Sequence, residues 1–200
     1  MKSWGEASSW RRRTFLKAGS AAGFLGVLPL AHAQSADRRF GIKGRSAPTI
    51  HAEYWIGADG NATSFDMTET EGRWVYLKCF QAWCPGCHKH GLPALKKITD
   101  AFADDDRVVP LAVQTVFEGF AVNSRAKLRE IQAQYELPIK FGHDPGHADS
   151  EDTRPPTMRA YRTGGTPWVV IIDPSGRVVY NDYHIDADRF IELLNGILNA

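Results

Sequence analysis

The chain has 200 residues, 43% of them hydrophobic and 24% charged, with a formal net charge of +1. That composition supplies one domain with a full core, and a balance so close to neutral offers nothing to nucleic acid.

The first segment reads as an address. Arg12-Arg13-Thr14-Phe15-Leu16-Lys17 resembles the twin-arginine export signal, with Arg11 where that pattern prefers Ser or Thr. Ala18 to Leu30 is a modestly apolar run broken by Gly19, Gly23 and Gly26, too short and too glycine-rich for a comfortable membrane span. Ala31-His32-Ala33 puts small residues where a signal peptidase reads them, so residues 1–33 are expected to be a signal peptide cleaved after Ala33. No cysteine precedes Cys79, which excludes a lipid-modified N-terminus. The leader carries Lys2, Arg11, Arg12, Arg13 and Lys17 against Glu6, leaving the mature chain near −3. Export to the periplasm places the cysteines in an oxidising compartment. Residues 34–46, polar and basic with Gly41 and Gly44, read as a flexible linker to a domain over 47–200.

Within that domain Ile50 to Ile56 and Thr63 to Phe65 flank Ala58-Asp59-Gly60-Asn61, a hairpin signal. Trp74 to Phe80 is apolar and aromatic, the composition of a buried strand. A helix is expected from Cys87 to about Phe102, with Leu92, Leu95, Ile98 and Phe102 on one face and a kink at Pro93. Asp104-Asp105-Asp106 reads as a solvated loop rather than a metal site. Val108 to Val116 reads as a second buried strand, and Asn123 or Ser124 as the cap of a helix through Leu128, Ile131 and Tyr135. Ile139 to Phe141 is a short strand, and the turn-rich stretch His143 to Asp149 a mobile loop. Pro155 to Tyr161 gives a short helix. Trp168 to Ile172, the turn Asp173-Pro174-Ser175-Gly176 and Val178 to Tyr180 give a hairpin, and Asp186 caps a last amphipathic helix.

The chemistry concentrates at Trp83-Cys84-Pro85-Gly86-Cys87, where the strand ends and the helix begins. Two cysteines separated by two residues close a small disulfide ring or hold two thiols side by side. At a helix N-terminus the first thiol faces unpaired N–H groups and the positive end of the dipole, which favours the thiolate, and Pro85 fits a first turn where a missing N–H costs nothing. The same residues admit other readings. With His88 the string is the c-type haem attachment motif; a zinc site would use Cys84, Cys87 and His88 or His90; and a structural disulfide would close too short a loop to constrain the unfolded chain much. Haem attachment needs no apolar strand before it, and zinc lacks a second cysteine pair, so the context favours redox exchange.

Taken together, Trp83-Cys84-Pro85-Gly86-Cys87, the helix proline Pro93, Gly165-Thr166-Pro167 and Asp173-Pro174-Ser175-Gly176-Arg177 resemble the thioredoxin superfamily, and within it the TlpA-like branch of exported disulfide reductases. The resemblance implies an α/β, thioredoxin-like fold: a central mixed β-sheet flanked by helices, with an N-terminal β-hairpin extension. It implies Cys84 as the attacking sulfur and Cys87 as the resolving one, with Thr166–Pro167 in the cis form facing them. A cis Pro167 would leave the backbone of Thr166 free to pair with an extended substrate segment, with Trp83 beside it, and would keep metals off the thiols. The cofactor implied is the Cys84–Cys87 disulfide alone. The partners implied are extracytoplasmic thiol or disulfide proteins and a membrane electron donor or acceptor, the protein itself being a monomer.

This chain leaves the pattern at two points. Thioredoxin carries a buried acid six residues before the first cysteine, where this chain has Lys78. The helix proline also stands six residues after the second cysteine instead of five. A lysine there favours thiolates and a more oxidising disulfide, and His88 would add to this if it faced the sulfurs. Lys78 itself either reaches toward Cys87 or snorkels to solvent. The competing functions are a peroxide-reducing relative, whose Pro-x-x-x-Thr-x-x-Cys pattern is broken here by Leu77 and Gln81 in place of its Pro and Thr, and a copper-delivery protein using Cys84, Cys87 and a histidine, whose cysteine spacing of three this chain lacks.

Overall fold

The computed structural model describes residues 40–200; the expected signal peptide and residues 34–39 of the linker lie outside them. Seven strands form one sheet: β1 (Tyr54–Ile56), β2 (Ala62–Thr63), β3 (Trp74–Phe80), β4 (Val108–Val116), β5 (Lys140–Pro145), β6 (Trp168–Ile172) and β7 (Val178–Asp182). Their order is β2-β1-β5-β4-β3-β6-β7. β3 runs parallel to β4 and β4 to β5, while β6, β7, β1 and β2 add antiparallel pairs. The sheet is therefore mixed, as expected, and the hairpin β1–β2 extends it.

Strand β3 lies at the centre because it is apolar on both faces. Tyr76 and Phe80 join Leu92, Leu95, Ile98, Leu128 and Leu194 in one core cluster. Val75, Leu77 and Cys79 join Trp55, Leu111, Val113, Tyr161 and Val170 in the other. The period of two in a strand sends alternate side chains to opposite faces, so one strand builds both cores. The first face is covered by α1 (Leu92–Ala101), α2 (Ala126–Gln134) and α4 (Ala187–Leu198), the second by α3 (Pro156–Tyr161) and the N-terminal segment.

Three local expectations change. Residues 40–46 belong to the body of the domain: Gly41 N–H bonds Arg162 O at 2.7 Å, Gly44 N–H bonds Val178 O at 2.7 Å, and Ile42 is buried. Their polar side chains suggest a tether, but it is the backbone that is pinned. His143 to Pro145 form the end of β5, paired in register with Gln114 to Val116, so the loop begins only after Pro145. Asn123 does not cap α2, whose N-cap residue is Arg125 with no side-chain capping bond; its carboxamide is used elsewhere. The cap expected of Asp186 forms, its carboxylate accepting Arg189 N–H at 3.1 Å.

Between β3 and α1 the chain makes a π-helical turn, Cys87–Gly91, closed by Leu92 N–H on Cys87 O. A π-turn holds one residue more than an α-turn. It absorbs the residue that sets Pro93 one place late, and Pro93 falls in the first turn of α1, where its missing N–H is tolerated. The kink is thus a change of helical type just ahead of the proline.

Candidate active site

The end of β3 delivers the two cysteines to the edge of the first core. Cys84 is 8% exposed and Cys87 fully buried, and both are free thiols. Cys87 N–H donates to Cys84 Sγ at 3.3 Å, and Cys84 Sγ lies 3.6 Å from the carbonyl oxygen of Thr166. The Thr166–Pro167 bond is cis. Pro167 is buried against the active-site turn: a Cβ on Gly86 would stand 3.2 Å from its Cδ, and one on Gly91 only 2.9 Å from its Cβ. Gly91 has no room for a side chain, which is what lets the π-turn approach the proline. Pro85 is exposed beside the pair. Cys84, Cys87, Thr166 and Pro167 therefore meet at one point, Cys84 the more exposed of the two cysteines. Burial, then the neighbouring Cys84, pushes the Cys87 thiol above its usual range.

Trp83 is 45% exposed and its indole N–H bonds Gln81 Oε1 at 2.5 Å. It lies over Gly119, where a Cβ would come within 2.8 Å of the indole nitrogen. Beneath it runs a network of carboxamides that the sequence does not announce. Asn123 Oδ1 accepts the Ala82 N–H at 2.7 Å and Gln114 Nε2 at 3.4 Å. Asn123 Nδ2 donates to Gly119 O, Glu118 O and Gln81 Oε1 at 3.0, 3.1 and 3.3 Å. Gln114 Oε1 in turn holds His143 Nδ1 at 2.8 Å. The only sequence signal for Asn123 is a polar residue in a loop after a strand, which fits a helix cap equally well.

His88 does not turn its ring nitrogens to the sulfurs. Its Nε2 donates to Ala82 O at 2.6 Å, since a carbonyl can only accept, and its Nδ1 meets the Tyr135 hydroxyl at 2.7 Å. Ala82, two residues before Cys84, is thus gripped at both ends, by Asn123 on its N–H and by His88 on its carbonyl.

Lys78 does not snorkel. It is 1% exposed, on the face of β3 that carries Tyr76 and Phe80, with its Nζ 3.6 Å from the Cβ position of Gly91. Burial draws its pKa down to about 8, against the opposing pull of Cys87 and Cys79. Cys79 is fully buried on the opposite face, its pKa pushed up to about 12 by burial. Among the described residues no group of three His, Cys, Asp or Glu side chains is placed to hold a metal ion, and no helix is long and apolar enough to cross a membrane.

A model of the redoxin family matches residues 42–193. No curated protein matches the chain. Among solved structures, a thioredoxin-like superfamily protein aligns with a TM-score of 0.66 at 27% identity, over 76% of this chain and 95% of its own. A thiol-disulfide isomerase from Corynebacterium glutamicum aligns with 0.64 at 27% identity, over 76% and 96%. The thioredoxin domain of a thiol-disulfide oxidoreductase from Bacteroides vulgatus, 20% identical, shares the fold with a TM-score of 0.56 over 78% and 97%.

Proposed function

The chain belongs to the redoxin family and has a thioredoxin-like fold, and from that premise we propose that it is an exported thiol–disulfide oxidoreductase reducing the disulfides of partner proteins through Cys84 and Cys87. The observation that carries the reading is the outermost sulfur, Cys84 Sγ, held between the Cys87 amide and the Thr166 carbonyl with the second thiol behind it.

The Cys84 thiolate attacks one sulfur of a partner disulfide, and the other partner sulfur leaves as a thiolate. The Cys87 amide faces Cys84 Sγ, an interaction that strengthens when the sulfur carries charge. Cys87 then attacks Cys84 Sγ, the mixed disulfide breaks, and the second partner thiol is released. The pair ends as a disulfide, two electrons having passed to the partner, and a membrane electron donor restores it. Thr166 offers its backbone to an extended partner segment, and Trp83 forms the opposite wall. The protein acts as a monomer in the periplasm, delivered by the twin-arginine leader.

Cys84→Ser is expected to abolish reduction of insulin disulfides, while Cys87→Ser accumulates mixed disulfides on Cys84. Adducts trapped on Cys87, or insulin reduction that survives the loss of Cys84, would overturn the assignment. Peroxide consumption by a protein that leaves insulin untouched would move the reading to the peroxide-reducing class. For export, replacing Arg12 and Arg13 by Lys should hold the precursor in the cytoplasm; normal processing of the double variant would remove that part of the proposal.

A further inference from the structure

Gln81 follows the last residue of β3 and is completely buried, three residues before Cys84. Its Oε1 takes two donors, the indole N–H of Trp83 at 2.5 Å and Asn123 Nδ2 at 3.3 Å. Its own Nε2 finds no partner among the described residues. Turning the carboxamide over would set its NH2 group against two other donors, so it is fixed this way round. A buried donor left unsatisfied works against folding, and an apolar side chain at this position would carry no such penalty. What an apolar side chain could not supply is the acceptor for Trp83.

Trp83 is exposed, yet its one polar side-chain atom is turned inward. Gly119, with a left-handed φ of 60°, brings the following loop against the same edge of the ring. A Cβ on Gly119 would stand 2.8 Å from the indole nitrogen and 3.0 Å from the neighbouring Cδ1. The nitrogen-bearing edge is thus covered, and the part of the indole left in solvent is carbon. Val122, also exposed, stands in the short turn Phe120–Val122 that follows Gly119.

We infer that Gln81 is a positioning residue that holds Trp83 as an apolar platform beside Cys84, and that the platform selects partner segments carrying a large apolar side chain next to their reactive cysteine. This rests on reading Cys84 as the attacking sulfur. The chemistry of exchange then names the occupant. A partner joined to Cys84 Sγ brings the residues flanking its own cysteine against the adjoining indole. The carbonyl of Thr166 lies 3.6 Å from the same sulfur and offers only backbone, which pairs with any sequence. Trp83 offers ring surface, which favours a side chain able to cover it. Discrimination between partners therefore falls to the indole, and its orientation to Gln81.

The test uses the full chain with its cysteines reduced and two synthetic peptides. Each peptide carries one cysteine as a mixed disulfide with thionitrobenzoate, flanked on both sides by Phe in the first and by Ser in the second. Attack of Cys84 on the peptide sulfur releases the coloured thiolate, which is followed at increasing peptide concentration. The wild type is expected to favour the Phe peptide about tenfold in kcat/KM. In Gln81→Met, which keeps the length of the side chain and loses the acceptor, the preference should fall below about twofold. Gln81→Glu keeps an acceptor for both donors and should restore it. The ratio of two peptides on one variant cancels any general loss of folded protein or of Cys84 reactivity, which is all that a merely structural role would produce. Trp83→Phe leaves the buried carboxamide in place and removes the N–H, so it should lose the preference even if Gln81→Met fails to fold. Full preference in Gln81→Met or Trp83→Phe, no preference in the wild type, or no recovery in Gln81→Glu would overturn the inference. A reduced wild type that releases thionitrobenzoate from neither peptide would instead overturn the reading of Cys84, so the two failures are told apart.

Discussion

Two buried polar side chains stand close to the Cys84–Cys87 turn, and the fold treats them in opposite ways. Asn123 is 1% exposed and its carboxamide bonds Ala82 N–H, Gln81, Gln114 and two backbone carbonyls. Lys78 is equally buried, carries more charge, and bonds nothing among the described residues. A saturated polar group costs little and fixes geometry, whereas an unsatisfied one destabilises the fold and brings a perturbed pKa. The first holds the backbone before Cys84 in place; the second supplies a group whose proton is loosely held.

Removing the saturated side should have the largest effect. Asn123→Ala strands the Ala82 N–H and the Gln114 Nε2 donor, while Gln81 keeps Trp83 and Gln114 Oε1 keeps His143, and it should cost about 3 kcal/mol in denaturant unfolding. A loss under about 1 kcal/mol would mean that water replaces the network easily.

Removing the unsatisfied side should act in the other direction. A lysine whose pKa is lowered in the fold gives stability that rises with pH, because between about 8 and 10.5 the unfolded chain binds the proton more often than the folded one. Lys78→Met is therefore expected to stabilise the protein by on the order of 2 kcal/mol at neutral pH, with the gain fading above pH 10. Comparing variant with wild type cancels the opposite contribution of the buried thiols. A destabilised variant at neutral pH would show that the lysine stem packs better than methionine.

Asp144 falls between the two cases. It is 2% exposed, its Oδ2 accepts the Thr157 N–H at 2.9 Å, and burial raises its pKa to about 6 despite that bond. A carboxyl raised in the fold gives stability that is full below its unfolded value and is lost as pH rises through the folded one. Wild-type stability should thus fall between about pH 4 and 6 relative to Asp144→Asn, a difference of about 2 kcal/mol at neutral pH. Parallel curves for the two proteins would refute this. The smallest effect is expected from Tyr135→Phe, about 1 kcal/mol, since it removes only the hydroxyl partner of His88 and leaves the bond to Ala82.

The same contrast explains what could be read from the sequence. The cysteine pair at a strand-to-helix junction was legible because every part of the signal lies within a few residues. Lys78 left half a signal: it alternates with Tyr76 and Phe80, which points it inward, yet nothing local says whether a counter-charge waits there. Asn123 left none, because its chief partner, Ala82, is 41 residues away and its own neighbourhood looks like a helix start. Composition misled at residues 40–46 and at His143 to Pro145 for one reason. Polar and turn-forming side chains describe surface preference, whereas backbone pairing with β7 and β4 decides where those segments lie.

The π-turn at Cys87–Gly91 bears on how this chain can be edited. An extra residue lodged in a helix is a local underwinding that the downstream turns need not register. Taking one residue out of the turn, His90 being the exposed choice that makes no hydrogen bond of its own among the described residues, should leave a plain α-helix running from Cys87 with Leu92, Leu95 and Ile98 still on the sheet. The shortened chain would keep both cysteines, with Pro93 five positions beyond Cys87. Most single-residue deletions inside a helix rotate everything after them by about 100°. Here the turn already holds that rotation in reserve, which lets length change beside the cysteines without loss of register in α1.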